Sequence, residues 1–111
     1  MVNQGDIIMV NFNPQLGHEQ AGYRPAVVIS NNFFNEITRM TILCPITNNA
    51  KKFPLHLPLD DRTVTDGVVL CEHTKSLDLY ARDYKFVEKI PDDLLKEILE
   101  IVFSEIEFQT I

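Results

Sequence analysis

The sequence predicts a mainly β domain: a small, strongly curved sheet or barrel of five to seven short antiparallel strands, closed by one C-terminal α-helix. Three observations predict it. Short apolar runs rich in Val and Ile recur up to residue 90, punctuated by Gly, Pro and Asn/Asp clusters. One stretch with helical spacing of apolar residues follows Pro91. The chain has 111 residues and is 45% hydrophobic, enough for one core without disulfides or metal, so a single domain over residues 1–111 is expected.

Gly5 to Phe12 reads as the first strand, with Ile7, Ile8, Met9, Val10 and Phe12 giving high β propensity. "NPQLGHEQAGY" follows as a loop, long for a connection in a compact domain, and that length favours a functional role. Arg24 to Asn31 is a second strand whose Ala-Val-Val-Ile run suits burial on both faces. "NNFFNEI" is a turn with room for one turn of helix. Arg39 to Thr47 is a third strand. Met40, Ile42, Cys44 and Ile46 form one face, and Thr41, Leu43, Pro45 and Thr47 the other, less apolar one. Phe53 to Leu59 alternates, with Phe53, Leu55, Leu57 and Leu59 inward and Pro54, His56 and Pro58 outward. Two outward prolines point to an edge or irregular strand. After the turn "DDRTVTDG", Gly67 to His73 and Tyr84 to Ile90 supply further strands. Pro91 opens the helix, and Asp92 and Asp93 suit the positive end of its dipole. Leu94, Leu95, Ile98, Ile101, Val102 and Ile106 make its apolar face.

Composition narrows the function classes. No apolar run approaches the ~18–20 residues of a membrane helix, and the N-terminus lacks the basic region of a signal peptide, so a cytoplasmic, membrane-free protein is expected. Cys44 and Cys71 sit inside apolar runs and read as buried, reduced thiols. Cys71 and His73 share a strand face, but no partner pair at zinc-site spacing accompanies them, and neither a metal nor a cofactor is expected. The net charge of -6 argues at first against a nucleic-acid partner. From Val87 to Ile111, however, seven acids face two lysines, a net of -5 that leaves -1 for the rest. A neutral or basic face elsewhere is compatible with that distribution.

Four clusters could carry chemistry. Arg24, the only Lys or Arg before Arg39, follows the long polar loop and precedes Pro25, which fixes the backbone there. It is either a strand-start arginine in a surface ion pair or a rigid planar fork for phosphate. Thr47 is either a turn residue or a hydroxyl donor to phosphate, and Asn48, Asn49, Lys51 and Lys52 follow it at once. "CEHTKSLDLYAR" brings Glu72, His73, Lys75 and Ser76 together, as a salt-bridged loop or as a site in which His73 moves protons. Glu19 and Gln20 are turn decoration, or a general base beside a base-reading amide. His18 and His56 read as surface residues. Together the clusters suggest a metal-free site for an anionic polymer and leave the reaction open.

Three blocks in order resemble the MazF/PemK/Kid toxins of bacterial toxin–antitoxin pairs. "QGDIIMVNFNPQLGHEQAGYRPAVVIS" looks like that family's opening; "PIT" with its polar loop and "FPLHLPL" resembles the second block; "GVVLCEHTKSLDLYAR" is similar to the third. The resemblance implies an SH3-like (CcdB-like) barrel with a C-terminal helix, acting as a homodimer. It also implies a metal-independent, sequence-specific endoribonuclease that cuts single-stranded RNA, chiefly messenger RNA. The family's catalytic arginine and threonine map onto Arg24 and Thr47, its loop Glu-Gln onto Glu19 and Gln20, and its third-block polar residues onto Glu72, His73, Lys75 and Ser76. This chain has His73 where the family usually has Gln.

Metal-free RNA cleavage proceeds by attack of the ribose 2′-hydroxyl on the adjacent phosphorus, leaving a 2′,3′-cyclic phosphate and a 5′-hydroxyl. Arg24 and Thr47 would stabilise the charge that builds on phosphorus, and Glu19 is expected to take the proton, ahead of His73. Gln20, Tyr23, Asn48 and Phe53 would hold splayed bases, Lys51 and Lys52 the backbone, and the acidic helix would face away. The implied antitoxin has a partly disordered acidic tail that folds onto the toxin. Two alternatives share the fold: a gyrase-poisoning toxin, whose family ends in a Trp-Gly-Ile that this chain lacks, and a non-catalytic SH3-like interaction module.

Overall fold

Among the described residues, seven strands and two α-helices follow one another as β1 (Asp6–Asn11), β2 (Tyr23–Val28), α1 (Asn32–Thr38), β3 (Thr41–Thr47), β4 (His56–Pro58), β5 (Val68–Leu70), β6 (Lys75–Leu77), β7 (Tyr84–Lys89) and α2 (Asp92–Ile106). The computed structural model describes residues 1–13, 17–18, 22–49 and 51–110. Every strand pair is antiparallel, in the order β4-β5-β3-β2-β1-β7, with β6 also on β3. β3 organises the sheet. It pairs with β2 on one side, while on the other Thr41–Leu43 pair with β6 and Ile46–Thr47 with β5. That handover, with a bulge in β1 between Ile7 and Ile8, bends the sheet into an open barrel-like wall.

Period-two alternation divides the buried residues between two faces. Ile7, Val27, Cys44, Ile46, Leu57, Val69 and Cys71 form one cluster, closed by Leu94 and Ile98 of α2. Ile8, Val10, Ala26, Val28, Leu43 and Leu77 form the other. Burial of each large aliphatic side chain contributes about 1.5–3 kcal/mol, so both faces of β2 and β3 are held in register by their own core.

The mainly β fold with a closing helix matches the sequence expectation, and local details differ. Residues 31–37 are not a turn. Asn31 caps a seven-residue helix by accepting from the Phe34 N–H at 2.8 Å, which ends β2 at Val28 rather than Asn31. Ser30 and Asn35 are buried beneath it as a hydrogen-bonded pair, and Ser30 Oγ also accepts from the Ile42 N–H at 2.9 Å. The fourth strand shrinks to three residues, and Phe53, read as inward, is 47% exposed. Pro54 and Pro58 flank a segment with few ladder donors, which accounts for the shortening. The fifth stops at Leu70, and β6 was not foreseen, because Lys-Ser-Leu has neither β-branching nor alternation. Pro91 precedes the first turn of α2 instead of lying in it, and Ile106 is exposed while Leu99 packs on the core.

The turn before β5 is tied to β7 by a carboxylate. Glu88 accepts from the Val64 and Thr65 N–H groups and the Thr65 hydroxyl at 2.7–3.1 Å. Partial burial opposes its charge, but these three donors outweigh it and hold the carboxyl below its ordinary value of 4.5. The stabilisation is therefore full above the unfolded-state value and is lost as pH falls through the lower folded one. Glu88→Gln should cost about 1–2 kcal/mol at pH 7 and flatten the acid limb of stability, measured by urea unfolding between pH 7 and 3.

Candidate active site

The residues that alternate away from α2 converge at one end of the sheet. Ala26 faces Pro45 across β2 and β3. Two residues further along each strand, on the same face, stand Arg24 and Thr47. His56 pairs with Leu70 across β4 and β5. Their neighbours Leu57 and Val69 belong to the helix-side core, so His56 and Leu70 are turned to the opposite face, and Glu72 follows in the turn after β5. Arg24, Thr47, Asn49, His56, Leu70, Glu72 and His73 thus line a single cleft. A second cleft, lined by Phe12, His18, Pro45, Thr74 and Lys75, shares Glu72 and His73 with it. The two clefts adjoin at these shared residues, and Glu105 of the last turn of α2, its carboxyl raised by burial, lies close enough for the Glu72 charge to raise it further.

Within the groove, Arg24 and Thr47 are both half-buried. Thr47 Oγ1 accepts from the Asn49 N–H at 3.2 Å, so the hydroxyl hydrogen can donate to a ligand. Gly67 presses against this corner: a Cβ there would lie 2.6 Å from the Thr47 carbonyl oxygen. His56 is the residue that sequence reasoning misplaced. Its side chain is only 12% exposed; Nδ1 lies 2.9 Å from the Lys51 carbonyl oxygen and Nε2 2.8 Å from Glu72 Oε2. Its ring also meets Phe53, centroid to centroid at 5.0 Å. The outward placing of residue 56 carried part of the signal, since His56 lines the cleft. Glu72 Oε1 is buried without a hydrogen-bond partner among the described residues, and His73 Nε2 stands 3.9 Å from Glu72 Oε2.

The remaining sequence candidates scatter. Glu19 and Gln20 lie outside the described residues. Tyr23 is exposed and alternates to the face of β2 opposite Arg24. Asn48, Lys51, Lys52 and Phe53 are exposed and line neither cleft, although the Lys51 carbonyl meets His56 Nδ1. Lys75 lines the second cleft, whereas its neighbour Ser76 lines a separate recess with Asn11, Asn13 and Arg82.

The thiols take no part. Burial pushes Cys71 up to about 12 and raises Cys44 further, so neither forms thiolate near neutrality. A thiol-specific disulfide reagent should label none of the folded protein at pH 7.5 and both cysteines after unfolding; fast labelling of the folded state would contradict their burial.

Comparison with known proteins identifies the family. A family described as PemK-like, MazF-like toxin of type II toxin–antitoxin system matches residues 3–103. Endoribonuclease PemK of Escherichia coli is 33% identical over 102 residues, spanning 88% of this chain and 77% of the relative. The crystal structure of MazF from Deinococcus radiodurans superposes with a TM-score of 0.87 at 36% identity, covering 94% of each chain. A MazE–MazF crystal structure from the same organism gives 0.81 at 34% identity, again over 94% of each chain. The match takes in β1 to β7 and nearly all of α2, and the chain belongs to the PemK-like, MazF-like toxins of type II toxin–antitoxin systems.

Proposed function

We propose that the chain is an endoribonuclease toxin that cuts single-stranded RNA, chiefly messenger RNA, at particular short sequences and without metal. The observation that carries this reading is the convergence of Arg24 and Thr47 on one cleft. A fixed guanidinium and a hydroxyl with a hydrogen to donate suit the non-bridging oxygens of a phosphate as negative charge builds there. The 2′-hydroxyl attacks phosphorus, Glu19 takes its proton, and the 5′-oxygen leaves. Asn48, Lys51, Lys52 and Phe53, with Gln20, His73 and Lys75, hold the flanking backbone and splayed bases. Base specificity at His73 differs from that of relatives with Gln, since an imidazole offers one donor and one acceptor where an amide offers more.

The protein works as a cytoplasmic homodimer with a cognate antitoxin. Among the described residues no helix is long and apolar enough to cross a membrane. The likeness to a MazF seen with MazE supports the antitoxin, and a groove built for phosphates suits an acidic tail that folds as it binds. The reading is tested by incubating the protein with single-stranded RNA in excess chelator and weighing the fragment ends by mass spectrometry, with an Arg24→Ala control. Fragments ending in 2′,3′-cyclic phosphate and 5′-hydroxyl are expected. Uncut RNA, or 5′-phosphate ends, would reject it.

A further inference from the structure

Resting on the endoribonuclease reading above, we propose that Glu72, supplied with a proton by His56, is the general acid that protonates the departing 5′-oxygen. A guanidinium stabilises charge but is a poor proton donor near neutrality, and an aliphatic hydroxyl is weaker still as an acid. The leaving alkoxide therefore needs another source.

The hydrogen-bond pattern identifies that source. A carbonyl oxygen only accepts, so the 2.9 Å contact with the Lys51 carbonyl assigns a hydrogen to His56 Nδ1. Nε2 then meets Glu72 Oε2 at 2.8 Å, which requires one hydrogen between them. Imidazolium with carboxylate, and neutral imidazole with carboxylic acid, are two descriptions of that one shared proton. Side-chain exposures of 12% for His56 and 27% for Glu72 make Glu72 the member that meets the cleft. Its Oε1 is buried without a hydrogen-bond partner among the described residues, so Oε2 is the oxygen that takes the shared proton. Both residues line the same cleft as Arg24 and Thr47. The charged neighbours of the carboxyl are Arg24 across the cleft, His73 at 3.9 Å, and Glu105 from the last turn of α2, whose own carboxyl is raised by burial and by the Glu72 charge.

The step balances. The O2′–P bond forms as Glu19 takes the 2′-hydroxyl proton. The P–O5′ bond breaks with its electron pair on oxygen, and that oxygen takes the proton shared by Glu72 and His56. This leaves a carboxylate and a neutral imidazole protonated on Nδ1. After product leaves, Glu19 returns its proton to solvent and the pair takes one up.

The test is single-turnover cleavage of an RNA containing one site mapped with the wild type, made with either oxygen or sulfur at the 5′-bridging position. A thiolate leaves without a proton. Glu72→Gln, which keeps shape, and His56→Asn, whose amide can still donate to Lys51, should cut the oxygen substrate about 100-fold or more slowly. Both should cut the sulfur substrate at close to the wild-type rate, whereas Arg24→Ala stays slow on both. Equal slowing of Glu72→Gln on the two substrates, or no slowing on either, overturns the proposal. So does sulfur rescue confined to His73→Gln, which would assign the acid to His73. A wild type that cuts neither substrate instead removes the endoribonuclease reading itself.

Discussion

Arg24→Ala is expected to slow RNA cleavage by about 100- to 1000-fold, the range for removing one preorganised donor from a developing oxyanion. The fold should survive, because β2 is held by backbone ladders to β1 and β3 and by Ala26, Val27 and Val28, all fully buried. Arg24→Lys should recover only part of the rate. It restores a charge but not the planar fork that engages two oxygens of one phosphate, and an ammonium does not hold the fixed geometry of a guanidinium. Single-turnover rates, read beside thermal unfolding of the same samples, separate chemistry from stability. An alanine variant that folds and cuts within a few-fold of wild type would remove the central electrostatic element of the mechanism. One that melts at a much lower temperature would instead make Arg24 a structural residue of the β2–β3 corner. Thr47→Ala should have a smaller effect, because the hydroxyl offers a neutral donor.

The pairing of Arg24 with Thr47 came from the family resemblance, and strand parity supplies its physical basis. Once residues 24–31 and 39–47 are read as neighbouring antiparallel strands, Arg24 and Thr47 sit at matching ends. α2 was legible from its apolar spacing, and Leu94 and Ile98 do enter the core. What escaped the sequence depended on contacts between distant segments. Asn31 reads as a turn residue until its side chain is seen capping α1. Lys75–Leu77 has no strand propensity of its own and pairs because β3 offers it an open edge. His56 reads as a surface residue between two prolines until Glu72, sixteen positions on, receives its Nε2. Propensity and period describe a segment alone, whereas these three features arise when another segment arrives.

Gly67→Ala should damage both stability and activity, although Gly67 lines neither cleft and carries no chemistry. Its φ is +122°, a backbone conformation that L side chains rarely adopt, and imposing it on alanine costs about 1–3 kcal/mol. The added methyl would also lie 2.6 Å from the Thr47 carbonyl oxygen, 2.9 Å from its carbonyl carbon and 3.0 Å from Asn48 Oδ1. The nearest atoms are backbone of β3, so no flexible side chain can swing aside, and overpacking of this kind adds a further ~1–3 kcal/mol. Relief has two routes. Either β5 withdraws, breaking the Thr47–Val68 pairing and the Leu59 N–H bond to the Gly67 carbonyl, or the Thr47–Asn49 corner moves outward. The first route lowers stability, by roughly 2–4 kcal/mol when strain and clash are relieved only in part. The second moves the Thr47 hydroxyl away from Arg24, and a displacement of about 1 Å in a catalytic pair is enough to cost ~100-fold in rate. Urea unfolding and single-turnover cleavage by the folded fraction therefore report on different routes, and at least one must change. A Gly67→Ala protein matching wild type in both would mean that β5 does not abut Thr47 as closely as the structure has it.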